Sequence, residues 1–319
     1  MDVVCAGILV ADIFANPIAA LPAAGQLGLT ERFLFGVGGC ASNTAAGLCR
    51  LGKPAKVLGK VGDDVFGNLV IADLDRLGVD ASSVSRSRTH PTSATVIINV
   101  TGEDRRYIHC MGANADFCFS DIDCSVLDGA KALYVGGYMA MPRFGAEDLR
   151  QLFREAKKRA LTTILDVVTP SGVSVSREHV ATMLAYTDVF LPNDDEAYAM
   201  TGLRSPQAQA DYLARMNPEC SVVVTQGRRG ALAQRKDEVI QVGAYAVEAI
   251  DESGAGDAFA AGFITGMLQG WSLEETLRFA SAVGASCTRA LGCTDGVFRF
   301  DEASAFVSEN LLPVERLRS

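Results

Sequence analysis

The chain has 319 residues, of which 49% are hydrophobic and 21% charged, and 38 acidic against 29 basic residues give a net charge of −9. This length suits one large α/β unit or two modest domains with an apolar core. The acidic charge, without a cluster of lysines and arginines, excludes the counterion-release binding on which nucleic-acid partners depend. A small molecule is therefore the expected partner.

The apolar segments are too short to cross a membrane. The longest ones, residues 3–11 and 258–268, fall short of the ~18–20 residues that a bilayer core requires. The first basic residue is Arg32, whereas a secretory signal carries a positive charge ahead of its apolar segment. We therefore expect a cytoplasmic protein without a membrane partner.

The cysteines indicate neither a disulfide framework nor a zinc site. The nine cysteines are an odd number spread along the chain, none forms a C-x-x-C pair, and only three histidines accompany them. We interpret them as mainly small buried side chains in a reducing compartment.

Short β-branched runs alternate along the chain with segments of helical periodicity, which is typical of a parallel sheet covered by helices. The predicted strands cover residues 2–10, 55–61, 132–136, 162–167, 188–191 and 220–225. The predicted helices cover residues 41–51, 65–77, 145–160, 194–201, 205–215, 257–269 and 273–288. The predicted fold class is therefore α/β.

Two segments interrupt this alternation. Residues 14–36 and 91–112 have strand patterns without helices of their own, and the second is predicted to be a hairpin around a turn at 101–104. We expect them to form a small β sheet that serves as a lid over a site or as an oligomer interface. The predicted core then comprises residues 1–13, 37–90 and 113–319.

Asp12 follows the first predicted strand. The carboxyl ends of parallel strands are where α/β folds bind ligands, and a carboxylate there can accept two hydrogen bonds from a vicinal diol. An Asp after a strand is also a common turn residue, so both interpretations stay open.

A glycine-rich segment at 36–43 leads into the first predicted helix. Its first six residues fit the dinucleotide-binding pattern G-x-G-x-x-A, but they do not follow the first strand, and the expected acidic residue about 20 positions later is missing. Two other uses remain. Gly38 and Gly39 let a ligand approach the backbone while Asn43 binds its hydroxyl groups, or the glycines only permit close helix packing.

Two later segments have both an ordinary and a functional interpretation. Asn193 and Glu196 match a capping box at a helix start, or the segment 193–196 places its carboxylates near a hydrated Mg²⁺. Residues 225–230 form a hairpin turn or a loop that lies along a nucleotide. No G-x-x-x-x-G-K-[ST] segment exists, so nucleotide binding of the P-loop kind is excluded.

The strongest local signal is D-E-S-G-A-G-D at residues 251–257, just where a helix is predicted to begin. Its glycines leave several backbone N–H groups free to converge on one anion, and the helix dipole adds to the attraction. Asp257 is then placed to accept a proton from a hydroxyl that attacks phosphorus. The alternative is that Asp257 only complements the helix dipole beside a tight turn.

Together these segments resemble the ribokinase-like, or phosphofructokinase-B type, family of carbohydrate kinases, in the same order over nearly the whole chain. The resemblance rests on the glycine-rich helix start at 38–43, G-D-D-x-x-G at 62–67, G-A-N at 112–114, N-x-x-E at 193–196, T-x-G-x-x-G at 225–230 and D-x-x-G-A-G-D at 251–257.

The resemblance implies a three-layer α/β/α sandwich with a small β-sheet lid, and transfer of the γ-phosphoryl group of ATP to a sugar or nucleoside hydroxyl in the presence of Mg²⁺. It implies that Asp257 is the catalytic base beside an anion hole at Gly254, Ala255 and Gly256. Residues implied to hold the sugar are Asp12, Gly38, Gly39 and Asn43. Residues implied to contact the nucleotide, its phosphates and Mg²⁺ are Asn193, Glu196, Thr225, Gly227, Gly230 and Ser281. Candidates for a K⁺ site are Asp251, Ser253, Cys287 and Gly292.

Some positions depart from the family pattern and count against ribose as the substrate. Cys40 stands where ribokinases usually carry Lys, and the residues after Asp166 do not continue the D-x-N of many members. Residues 136–138 lack the Glu that ribokinases place against the pentose, and Glu-Ser at 252–253 replaces the usual Thr-Thr or Thr-Gly. The sugar is therefore left open.

A sugar kinase is the first prediction, and three others stand beside it. The nearest is a nucleoside kinase of adenosine type, in which an aromatic lid residue stacks on the base; the candidates are Phe14, Phe33, Phe35 and Tyr107. A non-catalytic sensor would have no need of Asp257, and a nicotinamide enzyme would depend on residues 36–41. A homodimer through the lid is also expected, because free strand edges favour pairing.

Overall fold

Strands and helices alternate along most of the chain in the computed structural model, which describes residues 1–101, 103, 106–169 and 174–318. Within these residues the strands are β1 Val3–Gly7, β2 Val10–Ile18, β3 Arg32–Gly38, β4 Ala55–Leu58, β5 Lys60–Gly62, β6 Ser85–Ser87, β7 Ala94–Val100, β8 Arg106–Cys110, β9 Ala132–Tyr138, β10 Thr162–Val167, β11 Val189–Phe190, β12 Ser221–Thr225, β13 Ala231–Arg235, β14 Glu238–Val242 and β15 Val314–Arg318. The α-helices are α1 Cys40–Arg50, α2 Val65–Arg76, α3 Ala146–Lys158, α4 Arg177–Leu184, α5 Asp194–Thr201, α6 Pro206–Ala214, α7 Ala255–Leu268, α8 Leu273–Cys287 and α9 Phe300–Glu309.

The main sheet has a parallel part and an antiparallel part. Its parallel strands follow the order β4-β1-β9-β10-β11-β12. Beyond β12 the sheet continues through β13, β14 and β15, which pair in antiparallel fashion. Both β1 and β9 are buried along their whole length, as strands covered on both faces must be.

Helices cover both faces of this sheet, and alternate residues of β1 show the division. Val3 and Cys5 belong to one core cluster, which includes buried residues of α1, α2, α7, α8 and α9. Val4 and Ala6 belong to the other, which includes buried residues of α3, α4, α5 and α6. The three-layer α/β/α sandwich predicted from the sequence is confirmed.

A second sheet lies outside these layers and is called the lid sheet. In the described part of the chain it has the order β3-β2-β7-β8; β2 pairs with β3 in antiparallel and with β7 in parallel fashion, and β7 and β8 are antiparallel. The backbone of Val37 in β3 donates to the Asp73 carboxylate of α2 at 3.1 Å, which ties the lid sheet to a core helix. In the predicted turn at 101–104, Gly102 and Asp104 lie outside the described residues.

The chain passes from the main sheet into the lid sheet earlier than predicted. Residues 2–10 are not one strand, because the backbone bends at Gly7, where φ is +145° and a Cβ would lie 2.0 Å from the carbonyl oxygen of Gly136. The buried Asn114 side chain then clamps Leu9, accepting from its N–H at 3.1 Å and donating to its carbonyl at 2.9 Å. Asp12 therefore lies on the lid strand β2 and not directly after a core strand.

Other differences concern elements without a strong local pattern. The predicted strand at 55–61 divides into β4 and β5, and β5 pairs with β6 in a small separate sheet. Helix α9 and the antiparallel strands β13 to β15 are not predicted, because they fall outside the alternation of parallel strands and helices. Helix α4 belongs to this alternation, between β10 and β11, and is also not predicted. Helix α7 begins two residues before its predicted start at Asp257.

None of the helices formed by the described residues combines the length and the apolar composition that crossing a membrane requires. The nine cysteines are free thiols. Only Cys5, Cys220 and Cys287 are buried, whereas Cys110 is exposed and the rest are half-buried. The interpretation of the cysteines as mainly buried is therefore wrong.

Candidate active site

The start of α7 is shaped by a loop that only glycine permits. Gly254 has a φ of +74°, and a Cβ there would lie 2.7 Å from the Cβ of Cys293. The Asp251 carboxylate accepts from the backbone N–H groups of Ser253 at 2.8 Å and Gly292 at 3.1 Å. The N–H of Ala255 already makes a long bond of 3.4 Å to the carbonyl of Glu252. The next N–H groups of α7 are therefore the better anion donors.

Asp257 is held by side chains from the start of α1. Asn43 Nδ2 donates to Asp257 Oδ2 at 2.8 Å. Burial raises the pKa of Asp257, while hydrogen bonds from Asn43 and the Cys40 thiol oppose this shift. The two helices approach closely, since a Cβ at Gly47 would lie 2.9 Å from the Cβ of Ala261. Within the glycine-rich segment, a Cβ at Gly39 would lie 2.4 Å from the carbonyl oxygen of Ile8, so this glycine permits close packing, and the role of Asn43 toward ligand hydroxyls stays a prediction.

A cavity of about 140 Å³ lies in front of Asp257. Its lining residues are Cys40, Asp166, Val167, Val168, Leu191, Asn193, Glu196, Thr225, Gly256, Asp257, Phe259 and Ala260. Three of these are carboxylic acids, and none of the described lining residues is a lysine or an arginine. Burial, together with the charges of Asp257 and Glu196, holds the pKa of Asp166 well above its usual range. Burial likewise raises the pKa of Glu196 to about 7.

Asn193 and Glu196 form the capping box that their spacing predicts. Asn193 Oδ1 accepts from the N–H of Glu196, and Glu196 Oε2 accepts from the N–H of Asn193, both at 2.8 Å. Both residues also line the cavity of Asp257. The ordinary interpretation of this pair is confirmed, and the Glu196 carboxylate also accepts a hydrogen bond from the backbone of Thr169.

A larger cavity of about 490 Å³ adjoins the first, with which it shares Thr225, Gly256 and Phe259. It is lined by the four residues predicted to contact the nucleotide, Thr225, Gly227, Gly230 and Ser281. The hydroxyl of Ser281 is buried, and no described residue is its hydrogen-bond partner. Arg228 belongs to the predicted segment 225–230, and Ala255 and Gly256 to the predicted anion hole. The lining residues that the sequence analysis missed include Ala244, Tyr245, Ala246, Val247, Ala249, Gly284, Ala285 and Thr288.

Two of the predicted sugar residues, Asp12 and Gly38, touch each other on the neighbouring lid strands β2 and β3. A Cβ at Gly38 would lie 2.0 Å from Asp12 Oδ2, so glycine is needed for the Asp12 carboxylate to lie against β3. Burial raises the pKa of Asp12 to about 7, with an opposing hydrogen bond from Thr95 and a further rise from the charge of Asp257. Asn43 Oδ1 is buried and has no hydrogen-bond partner among the described residues.

Comparison with known proteins decides the family. The family model described as "pfkB family carbohydrate kinase" matches residues 1–298. The chain belongs to the pfkB family of carbohydrate kinases. The Bacillus subtilis 2-dehydro-3-deoxygluconokinase is 28% identical over 317 residues, covering 97% of this chain and 96% of that protein. The Clostridium perfringens 5-dehydro-2-deoxygluconokinase is 25% identical over 284 residues, covering 86% and 84%.

The solved structure of Arabidopsis thaliana ribokinase, complexed with ribose and ATP, has a TM-score of 0.82 and 25% identity, and the match covers 96% of this chain and 98% of that one. The predicted family and enzyme class are confirmed. The protein is an ATP-dependent sugar kinase, a phosphotransferase with an alcohol group as acceptor.

In this kinase, the four residues predicted to lie near a monovalent cation come together behind the α7 start. Besides the contacts of Asp251, the Cys287 thiol lies 3.4 Å from the carbonyl of Ser253 and 3.2 Å from that of Cys293. Burial raises the pKa of Cys287 to about 12, so the group is a neutral thiol. One thiol proton serves only one of the two carbonyls at a time.

The four aromatic candidates for stacking on a nucleoside base lie on opposite faces of the lid sheet, two on each face. Strand register places Phe14 and Tyr107 on the face of the lid sheet that carries Asp12. Phe33 and Phe35 lie on the opposite face, which excludes them from contact with a ligand at Asp12.

Two parts of the site were missed from the sequence. Asp166 is the last residue but one of the buried strand β10, and an acidic residue at the carboxyl end of a parallel strand is a signal that would have found it. The cavity-lining residues between 244 and 249 have no regular secondary structure and no recognisable pattern. Only the folded chain brings them to the nucleotide cavity.

Proposed function

We propose that this kinase binds its sugar between the lid sheet and the start of α7, with Asp257 as the general base. One observation carries the proposal: the Asp257 carboxylate, held by Asn43 at 2.8 Å, borders the smaller cavity where it adjoins the larger one. The larger cavity has the volume for a nucleoside, and the smaller one for phosphate oxygens and a metal ion. A sugar hydroxyl at Asp257 then faces the γ-phosphate.

The proposed transfer of the γ-phosphoryl group to the sugar hydroxyl follows from the positions at which charge develops. Asp257 accepts the proton of the sugar hydroxyl, whose oxygen forms a bond to the γ-phosphorus. The bond between this phosphorus and the oxygen bridging to the β-phosphate breaks, and ADP leaves with its electron pair. The backbone N–H groups of Gly256 and Asp257, at the positive end of α7, stabilise the charge on the transferred oxygens. Burial in turn raises the pKa of Asp257 and makes it a stronger base.

The carboxylates of the smaller cavity fit Mg²⁺. Asp166 and Glu196 lie there beside Asp257 with raised pKa values, so a cation would relieve the cost of their charges. Among the described residues, no three Asp, Glu, His or Cys side chains converge closely enough to hold a metal directly. Mg²⁺ usually keeps several waters and binds one or two carboxylates together with substrate phosphates. When bound, it would neutralise phosphate charge.

We also propose a K⁺ site beside Asp251. The carbonyls of Ser253 and Cys293 both face the thiol of Cys287, and the Asp251 carboxylate binds the N–H groups of Ser253 and Gly292 beside them. Oxygen donors of this kind, close to a buried carboxylate, suit a large monovalent cation that would brace the 251–257 loop. Turnover in KCl should exceed turnover in tetramethylammonium chloride at equal ionic strength, and equal rates would contradict the site.

The acceptor is proposed to be held mainly through hydroxyl groups. The Asp12 carboxylate accepts from hydroxyls, and the buried Oδ1 of Asn43 needs a donor. The names of the two bacterial relatives specify dehydro-deoxygluconate substrates, whereas the Arabidopsis structure contains ribose. Tyr107 on the Asp12 face is the observation that keeps a nucleoside as the second candidate.

A homodimer through the lid sheet is a further part of the proposal. Strands β3 and β8 are the edges of this sheet in the described part of the chain, and they expose Phe33 at 70% and Ile108 at 64%. Apolar edge strands favour pairing with a second copy. Sedimentation equilibrium should give a dimer mass that falls towards the monomer in Phe33→Lys; a wild-type monomer would contradict this.

A cytoplasmic location is proposed on the free thiols. Nine unpaired cysteines, with Cys110 exposed, suit a reducing compartment that also supplies ATP. Fractionation should recover the kinase with cytoplasmic markers, and recovery with an oxidising compartment would contradict the proposal.

Sugar-dependent formation of ADP tests the function directly. The acceptor panel is D-ribose, 2-deoxy-D-ribose, D-fructose, 2-dehydro-3-deoxy-D-gluconate, 5-dehydro-2-deoxy-D-gluconate and adenosine, with ATP and Mg²⁺. At least one sugar should increase ADP release and yield a phosphate ester visible by ³¹P NMR. Turnover of adenosine alone would select the nucleoside kinase, and no turnover with any acceptor would contradict the proposal.

A further inference from the structure

A polar row crosses three strands of the lid sheet. Strand register pairs Asp12 of β2 with Thr95 of β7, and Thr95 with His109 of β8. Register partners carry their side chains on the same face of a sheet. The three side chains therefore stand side by side on one face, and Asp12 is the member nearest the catalytic carboxylate, whose charge it feels.

The members of the row are linked through the Thr95 hydroxyl. Thr95 Oγ1 lies 3.0 Å from His109 Nδ1, and the same hydroxyl hydrogen-bonds to the Asp12 side chain. A hydroxyl has one proton to donate. With Asp12 ionised, Thr95 donates to Asp12 and accepts from His109 Nδ1–H. This arrangement fixes the imidazole ring, and its Nε2 becomes a hydrogen-bond acceptor.

The row leaves both ends available to a ligand. Gly36 is the register partner of Asp12 on its other side, and a Cβ there would meet only the Phe14 ring, at 3.7 Å. His109 is exposed, and partial burial lowers its pKa, so the ring is neutral at pH 7. A neutral, oriented imidazole is suited to a hydroxyl group and ill suited to a phosphate.

We propose that His109 is a specificity-determining residue that binds an acceptor hydroxyl beyond the one held by Asp12, with Thr95 positioning its ring. This inference rests on the proposed function. His109 lies two strands away from Asp12, roughly 10 Å apart at the backbone, so it faces a different hydroxyl group of the acceptor.

Two neighbouring residues of β8 give a matched test. His109→Ala removes the end of the row, whereas Cys110→Ala changes the adjacent exposed residue, whose side chain is on the opposite face. With the panel sugar that the wild type uses best, we expect His109→Ala to raise the sugar KM at least tenfold. The kcat and the KM for ATP should change less than threefold, and Cys110→Ala should match the wild type.

Two further variants separate binding from folding. Thr95→Val should raise the sugar KM in the same direction, and His109→Gln, which keeps an acceptor, should recover part of the loss. Unchanged KM values in His109→Ala and Thr95→Val, with an active wild type, would overturn the inference and leave the proposed function standing. Equal KM effects of His109→Ala and Cys110→Ala would also overturn it. A wild type that phosphorylates no sugar would overturn the proposed function itself, and this inference with it.

Discussion

Asn43 Nδ2 donates a hydrogen bond of 2.8 Å to Asp257 Oδ2 across 214 positions of sequence. The bond joins the first turn of α1 to the first turn of α7, the two helices that pack through Gly47 and Ala261. It fixes the carboxylate in one orientation, and it lowers the pKa that burial raises. The strength and the geometry of the proposed base therefore depend on this amide together with the Cys40 thiol.

Replacing this amide should change the pH profile. In Asn43→Ala the pKa of Asp257 loses a lowering contribution and rises, so the base stays protonated to higher pH. We expect the acidic limb of the profile of kcat/KM against pH to move to higher pH, and kcat to fall by roughly 10–100-fold.

Thr44→Val is the matched control for this variant. Thr44 also bridges α1 and α7, but its hydroxyl contacts the backbone carbonyl of Asp257 at 3.4 Å and not the carboxylate. Its pH profile should keep the wild-type position. A shift of the acidic limb in Thr44→Val as large as that in Asn43→Ala would show that helix packing, and not the amide, controls Asp257.

Two glycines of the same loop should respond differently to alanine. Gly254→Ala puts a side chain at a φ of +74° and 2.7 Å from Cys293, so unfolding free energy should fall by about 1–3 kcal/mol. A Cβ at Gly256 meets nothing within 4 Å, but it enters the junction of the two cavities. Gly256→Ala should keep wild-type stability and raise the KM for ATP at least tenfold. Denaturant titrations measure the stability of the two variants, and steady-state kinetics measure their KM for ATP. Equal losses of stability in the two variants would contradict the predicted difference.

Asp12 should make the ligand-free protein less stable as pH rises. Its folded-state pKa of about 7 exceeds the unfolded value near 3.8, so the folded state binds more protons between these values. The stabilisation is complete below pH 3.8 and lost as pH rises through 7. At pH 8 the unfolding free energy of Asp12→Asn should therefore exceed that of the wild type by on the order of 2–4 kcal/mol, which raises the melting temperature by several degrees. Near pH 4 the two proteins should melt at the same temperature.

Asp80 offers a control of opposite sign. Although partial burial opposes it, hydrogen bonds from Ser82 and Lys56 lower the pKa of Asp80. Asp80→Asn should thus melt below the wild type at pH 8. If Asp12→Asn also melts below the wild type at pH 8, the ionised Asp12 side chain contributes to stability, and the predicted cost of burying its charge is wrong.

Local chemistry made part of this site predictable. The Asn193 and Glu196 capping box and the glycine at 254 are encoded within a few residues, and the structure has them where the sequence places them. The same holds for the alternation that gave the α/β sandwich, because buried parallel strands are continuous apolar runs.

The failures arise where distant segments decide the outcome. The apolar run at 2–10 gives no sign of a break, and the bend at Gly7 exists because the backbone of Gly136 lies against it. In the same way, Asp166, which the sequence analysis did not assign to the site, joins Glu196 and Asp257 from a different element. The free-energy cost of placing three carboxyl groups in one cavity can be recognised only from the assembled sheet.

The most direct test of the account is the turnover of Asp257→Asn, measured beside calorimetric binding of ATP and of the best panel sugar. An amide keeps the shape of the group and one acceptor oxygen for the Asn43 side chain, but it accepts no proton. Turnover should fall by a factor of order 10² or more, while both dissociation constants stay within a few-fold of the wild type. Wild-type turnover in Asp257→Asn would contradict the assignment of Asp257 as the base.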